Sequence, residues 1–390
     1  MIDASRAMQE LDESRTESRL RVLLGMPEAA SLGGPVACEP PFAHALRRLG
    51  VEVAEETYVY GERLEGTTLR QRIGRVLRTA RRLRRRLHTE PFDVLHLNSS
   101  FDARALLRDV ATLRMLRATT TKVFIKFHGS DADLLRTNDP VLRRFARTIF
   151  ARTDGIGVLS SEEKENFMRA GVEERRIFVV KNVVTDESAD EPHETQTPSL
   201  RERLHLAPDV PLLLFIARFI PAKGLLDVIN ACALLRDQGA SFKLLCVGDG
   251  PVRREAEIEV ARLELDTHAL FFGHIPEAET RAFYRESTLL VFPTYHYEGF
   301  PMVIFKALAA GLPVITTRIR AARDYLREPD NCLWVAPRNA HELADKIAQL
   351  LDQPDLRRAM SENNRALARE FNADAVAREY LAVYNQLTDR

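Results

Sequence analysis

Short apolar runs alternating with helical periods, twice over, constrain this 390-residue chain more than any other feature. The first series places strands at Leu20–Gly25, from Val51, at Asp93–Leu97, Lys122–Phe127, Gly155–Leu159 and Ile177–Val180, with helical segments between them. The second restarts with Leu212–Ile216, Lys243–Val247, Leu270–Phe272, Leu289–Phe292, Pro313–Thr317 and Leu333–Val335, again with helices between most of them. Apolar runs of this length read as strands buried on both faces of a parallel sheet. Thr185–Ser199 separates the two series and is polar, acidic and carries two prolines, the composition of a linker. The expectation is an α/β chain of two Rossmann-like domains facing each other across a cleft. Its parts are a flexible tail at 1–18, a first domain at 19–184, a linker at 185–199 and a second domain at 200–370. A final helix at 371–390 is expected to pack back on the first domain.

Composition narrows the class. Apolar content of 45% and charged content of 29% are those of a soluble globular protein. No window reaches the ~18 unbroken apolar residues of a membrane span, and the first twenty residues lack the apolar core of a signal peptide. Cys38, Cys232, Cys246 and Cys332 are scattered, with no pair at metal-ligand spacing, so they read as reduced and structural. A cytoplasmic protein is expected. Net charge is zero, but between Ser18 and Val180 there are 29 Lys and Arg against 20 Asp and Glu. Much of that excess lies on one helix at 69–87. Leu69, Ile73, Val76, Leu77, Ala80, Leu83 and Leu87 make its apolar stripe, and nine arginines cover the rest. Such a helix suits either the outer layer of an α/β domain or an anionic lipid surface. Nucleic acid is disfavoured, because no stacking aromatics are interleaved with the arginines.

Candidate site residues gather where strands end, since ligands of open α/β sheets collect beyond their carboxyl edges. Glu298-Gly299-Phe300-Pro301 leads into an apolar helix that Gly311 can terminate. The unpaired first amides of a helix there are suited to an anion. Arg218 and Lys223 follow the first strand of the second domain, where one offers forked hydrogen bonds and the other a point charge, a pair that suits a diphosphate, although ordinary surface charges also fit these positions. His128-Gly129 closes a first-domain strand, and Gly33-Gly34 follows the first strand before a helix.

The motifs ARFIPAKG, VGDGP, FFGHI, EGFP, AAGLPVITT and NCLWV, in this order, resemble the retaining glycosyltransferases of family four, which have the GT-B fold. The likeness runs from about Leu20 to Leu387. It implies that Arg218 and Lys223 hold the diphosphate of a nucleotide sugar without a metal ion and without a cofactor. It implies that the Gly34 loop faces the phosphate and that Glu298 hydrogen-bonds the donor sugar. The amides of Gly299, Phe300 and the residues after Pro301 would reach sugar and phosphate, Ile275 would lie near the base, and His128 beneath the sugar. The acceptor would be a saccharide or a lipid-linked saccharide of polysaccharide biosynthesis, with the 69–87 helix on a membrane surface. One position departs from the pattern. The second glutamate of the family's Glu-x7-Glu motif, which binds ribose hydroxyls, is Lys306 here, and a lysine can only donate. Three readings follow: Lys306 donates to the ribose oxygens, it meets a different donor or an extra phosphate, or the chain is a degenerate binding or scaffold protein.

Overall fold

The computed structural model describes residues 19–28, 34–58, 68–116, 120–185 and 198–389. The expected tail at 1–18, Gly33 and nearly all of the expected linker lie outside the described residues.

Six strands make the first sheet: β1 Arg21–Met26, β2 Glu52–Thr57, β3 Val94–Phe101, β4 Lys122–Ser130, β5 Gly155–Val158 and β6 Ile177–Val179, in the order β2-β1-β3-β4-β5-β6. Six more make the second: β7 Leu212–Ile216, β8 Lys243–Val247, β9 Ala269–Gly273, β10 Leu289–Phe292, β11 Val314–Thr316 and β12 Cys332–Trp334, in the order β12-β11-β10-β7-β8-β9. Both sheets are parallel, as in β1 with β2 and β3, and β7 with β8 and β10. The two-sheet α/β architecture expected from the alternation is the observed one. Strand ends fall within a few residues of expectation. The largest differences are β3, which runs on from Leu97 to Phe101, and β4, which runs on through His128 to Ser130. Ser130 is buried, so packing holds the extended backbone beyond the last large apolar residue.

The chain divides into two compact units. One comprises residues up to Lys126, Asn138–Gly157 and Ala377–Arg390; the other comprises Phe127–Thr137 and Val158–Val376.

In the first unit Val22, Leu23, Leu24, Leu95, Leu97, Phe124 and Ile125 are buried on the sheet. The end of the Ala373–Thr388 helix joins this core through Tyr380 and Tyr384. Tyr380 packs on Phe42 with ring centroids 4.6 Å apart, and the Tyr384 hydroxyl lies 2.6 Å from His96 Nδ1. The arginine-rich helix, Leu69–Thr89, opens with a reciprocal Thr68–Gln71 cap and buries Ala80, Leu83 and Leu87. Arg75, Arg82 and Arg86 are engaged by Glu28, Glu56 and Glu90, while Arg78, Arg81, Arg84 and Arg85 face solvent. Among the described residues no helix is long and apolar enough to cross a membrane. All four cysteines are buried, and none is in a disulfide.

In the second unit the central strand β7 has every residue buried. The Met302–Ala310 helix buries Ile304, Phe305, Ala307 and Leu308, and Gly311 ends it at φ 72°. The Phe300 ring stacks on Phe305 at 3.7 Å and both lean on Phe371, so this aromatic side chain anchors the helix start to the core.

Candidate active site

Strand order in the second sheet reverses between β7 and β10, and at such a point loops leaving neighbouring strands diverge and expose a crevice. From β7 the chain passes Arg218 and makes a short turn, Pro221–Lys223, ending at Gly224. Gly224 has φ 82°, and a Cβ there would stand 2.7 Å from the Pro293 carbonyl oxygen, so only glycine lets this turn approach β10. The loop after β10 is tied to the same turn. The Tyr295 amide donates to the Ala222 carbonyl at 2.9 Å, and the Tyr295 hydroxyl to the Pro221 carbonyl at 2.8 Å. From β8, Gly248 donates its amide to the Gly273 carbonyl at 2.7 Å. A Cβ on Gly248 would overlap the Ala217 carbonyl. The loops after β7, β8, β9 and β10 therefore interlock at one edge of the sheet.

Charge concentrates in this corner. Lys223 is 5% exposed, and its ammonium contacts the Glu298 carboxylate, whose side chain is 26% exposed. Burial, then the Arg218 charge, press Lys223 down to about 7, while the Glu298 carboxylate in contact works against both. His296, two residues before Glu298, is pushed down to about 4 by burial and by the charges of Lys223, Arg218 and Arg320. It is a neutral imidazole in a cationic corner. Arg218 itself is exposed. The corner holds more cationic than anionic groups and has one carboxylate within reach, a set suited to an anion carrying hydroxyls.

The structure brings most of the sequence-derived candidates into this one unit. Arg218, Lys223 and Glu298 meet at the corner, and Gly299, Phe300 and Pro301 lead from Glu298 into the Met302–Ala310 helix. Gly299 presses on the end of β4: a Cβ there would lie 3.2 Å from the His128 carbonyl oxygen. Ile275, half-buried, follows β9. Lys306, 5% exposed, contacts the carboxylate of Glu277, two residues beyond Ile275. Gly34 belongs to the other unit, where it opens the Gly34–Arg48 helix.

Two family models cover most of the chain. The model for group 1 glycosyl transferases matches residues 196–367, and that for glycosyltransferase family 4 matches residues 41–188. The chain belongs to the group 1 glycosyltransferases. It is 26% identical over 306 residues to an uncharacterised glycosyltransferase of Methanocaldococcus jannaschii, covering 78% of each chain. It is 29% identical over 256 residues to the 2-deoxystreptamine glucosyltransferase of Streptomyces kanamyceticus, covering 65% of each. Anabaena HepE, solved with UDP-glucose, superposes with a TM-score of 0.73 at 16% identity, over 94% of this chain and 100% of that one; at such identity the likeness concerns the fold. The protein is thus a glycosyltransferase with the GT-B fold.

For this glycosyltransferase, reading the sequence missed His296, Glu277, Glu163 and Arg320. His296 had a legible signal, its place beside Glu298. The other three did not, because their roles depend on partners between 20 and 160 residues away in the chain.

Proposed function

We propose that this glycosyltransferase moves a hexosyl group from a nucleotide diphosphate sugar to a saccharide or lipid-linked saccharide, with retention at the anomeric carbon and without a metal ion or other cofactor. The observation that carries this reading is the Lys223–Glu298 contact beside Arg218 at the switch point of the second sheet. HepE, which shares the fold, was solved with UDP-glucose, a donor of this class.

Arg218 and Lys223 take the diphosphate, and their charge stabilises the departing group as the sugar acquires oxocarbenium character. Without donor, Lys223 is neutralised by Glu298. With donor, the ammonium turns to phosphate and the carboxylate is released to hydrogen-bond the sugar hydroxyls. Gly299, Phe300 and the first amides of the Met302–Ala310 helix add donors to the same anion. Ile275 lies beside the base and His128 beneath the sugar. Lys306 shares its site with the Glu277 carboxylate. That pair offers a donor and an acceptor to the ribose hydroxyls, where lysine alone offers only donors. The exposed Arg78, Arg81, Arg84 and Arg85 give the first unit a cationic face for an anionic membrane on which a lipid-linked acceptor is presented.

A panel of UDP-, GDP- and ADP-sugars, assayed for transfer with and without EDTA, tests the reading. The anomer formed is read by NMR. Transfer from one donor, unaffected by EDTA and retaining, is expected. Nucleotide binding with no transfer or hydrolysis of any donor would mean that the chain binds without catalysing. Vesicle sedimentation of a variant with Arg78, Arg81, Arg84 and Arg85 changed to Glu tests the membrane face, and undiminished binding to anionic vesicles removes that part.

A further inference from the structure

Arg320 is the most buried cation among the described residues of the second unit, 1% exposed, and the proposed chemistry does not use it. It begins the Arg320–Tyr325 helix at φ 32°, a left-handed conformation that glycine adopts freely and an arginine does not. A strained, buried arginine persists only where its surroundings over-determine it. Here they do. One terminal nitrogen donates to Glu163 Oε1 at 3.1 Å and to the Tyr297 carbonyl at 3.4 Å. The other donates to the Ser130 carbonyl at 2.9 Å. The guanidinium also lies 5.5 Å over the Tyr297 ring, and its Nε is 3.5 Å from a Glu162 oxygen.

Glu163 completes the assembly. It is fully buried and accepts from the Ser130 hydroxyl at 2.7 Å and from the Leu159 amide at 3.1 Å. Burial raises its pKa, and the Arg320 charge opposes the rise. A Cβ on Gly299 would stand 3.0 Å from Glu163 Oε2. The carboxylate therefore fills the space against which the Glu298-Gly299 turn rests. Ser130 is two residues from His128, and Tyr297 adjoins Glu298. Thus one guanidinium grips the backbone beside each of the two residues assigned to the donor sugar, and a buried carboxylate wedges between them.

We propose that Arg320 and Glu163 are positioning residues that set the separation of His128 and Glu298 across the donor sugar. This rests on the assignment of those two residues to the sugar. Neither positioning group touches substrate; each acts by fixing backbone. Loss of the strut lets the two segments shift independently, and a shift of about 1 Å at a reacting centre costs on the order of a hundredfold in turnover. Ground-state binding of the nucleotide, held from β7 and β9, is left nearly intact.

The discriminating variant is Arg320→Gly, which relieves the left-handed backbone while deleting the guanidinium, so that folding is favoured as the strut is lost. Arg320→Lys and Glu163→Gln accompany it. The expected result for Arg320→Gly is a fall in kcat of about ten- to a hundredfold with donor KM within about twofold, and partial rescue in Arg320→Lys. Hydrogen exchange supplies a readout independent of turnover: the amides of 128–131 and of 297–300 should exchange faster together, while β7 and β8 stay protected. If the wild-type protein transfers no sugar, the functional reading fails, and the exchange arm still decides the strut. Unchanged kcat in the folded Arg320→Gly variant, or faster exchange in only one segment, or across the whole unit, overturns the proposal.

Discussion

Two lysine–glutamate contacts in the second unit have the same composition and opposite settings. Lys223 and Glu298 come from loops at the carboxyl ends of β7 and β10, with Arg218 close by and much of the carboxylate buried. Lys306 stands in the middle of a helix, and its partner Glu277 has a side chain 61% exposed. The first ammonium is disfavoured where it stands, by burial and by a like charge, and gains from an arriving anion. The second already has a solvated carboxylate, so an anion would compete with it. Two pairs alike on paper thus divide into one set beside a second cation, Arg218, where an arriving anion can release the carboxylate, and one whose carboxylate is mostly solvated.

The sharpest way to break the comparison is to neutralise each carboxylate in turn. Glu298→Gln should lower kcat/KM by about a hundred- to a thousandfold, because a group aimed at the reacting sugar is lost along with the partner of Lys223. Glu277→Gln should leave kcat unchanged and act on donor KM alone. Steady-state kinetics with the donor varied reads both, and similar kcat losses at the two positions would abolish the distinction.

Much of this contrast was legible in the sequence, and the missing part has a physical reason. Arg218, Lys223 and Glu298 stand out because they follow strands of an open α/β sheet at the edge where ligands collect, two cations and a carboxylate together. The fold was legible too: β7 reads Leu-Leu-Leu-Phe-Ile and can only be a doubly covered strand. Lys306 was visible as a departure, but its partner was not, since Glu277 lies 29 residues earlier in an exposed turn that carries no periodic signal. Arg320 was invisible altogether. Sequence gives no sign that a helix will begin at a positive φ or that Glu163, 157 residues away, will be buried against it.

The next effect is on pH. An ammonium drawn down to about 7 from an ordinary ~10.4 is protonated in both folded and unfolded chains below pH 7, so its burial weighs on the fold fully there. That burden fades as pH rises from about 7 towards 10, so stability gains in this window. Ligand binding runs the other way. A diphosphate favours the charged form, so binding above pH 7 takes up a proton and affinity falls by up to about tenfold per pH unit. Calorimetry with UDP in buffers of different ionisation enthalpy measures the uptake. Lys223→Arg, charged throughout, should bind with no such slope between pH 7 and 9. A wild-type affinity that is flat over that range would mean that Glu298 keeps Lys223 protonated in the free enzyme.

The smallest effect belongs to the second pair and tests whether its charges are interchangeable. Lys306→Glu alone sets two carboxylates against each other, one of them nearly buried, and should raise donor KM by about fivefold and lower Tm by a few degrees. Adding Glu277→Lys restores a pair of opposite charge with its polarity reversed. If the pair serves ribose hydroxyls by offering one donor and one acceptor, the double variant should recover both KM and Tm, because a hydroxyl accepts and donates equally well. Recovery of Tm without KM would mean that Lys306 meets a negative group of the donor itself. A gain in donor affinity from Lys306→Glu alone would mean that Glu277 takes no part in the site and that the lysine is a compromise. The double variant thus distinguishes a pair that needs only opposite charges from one that needs each charge in its own place.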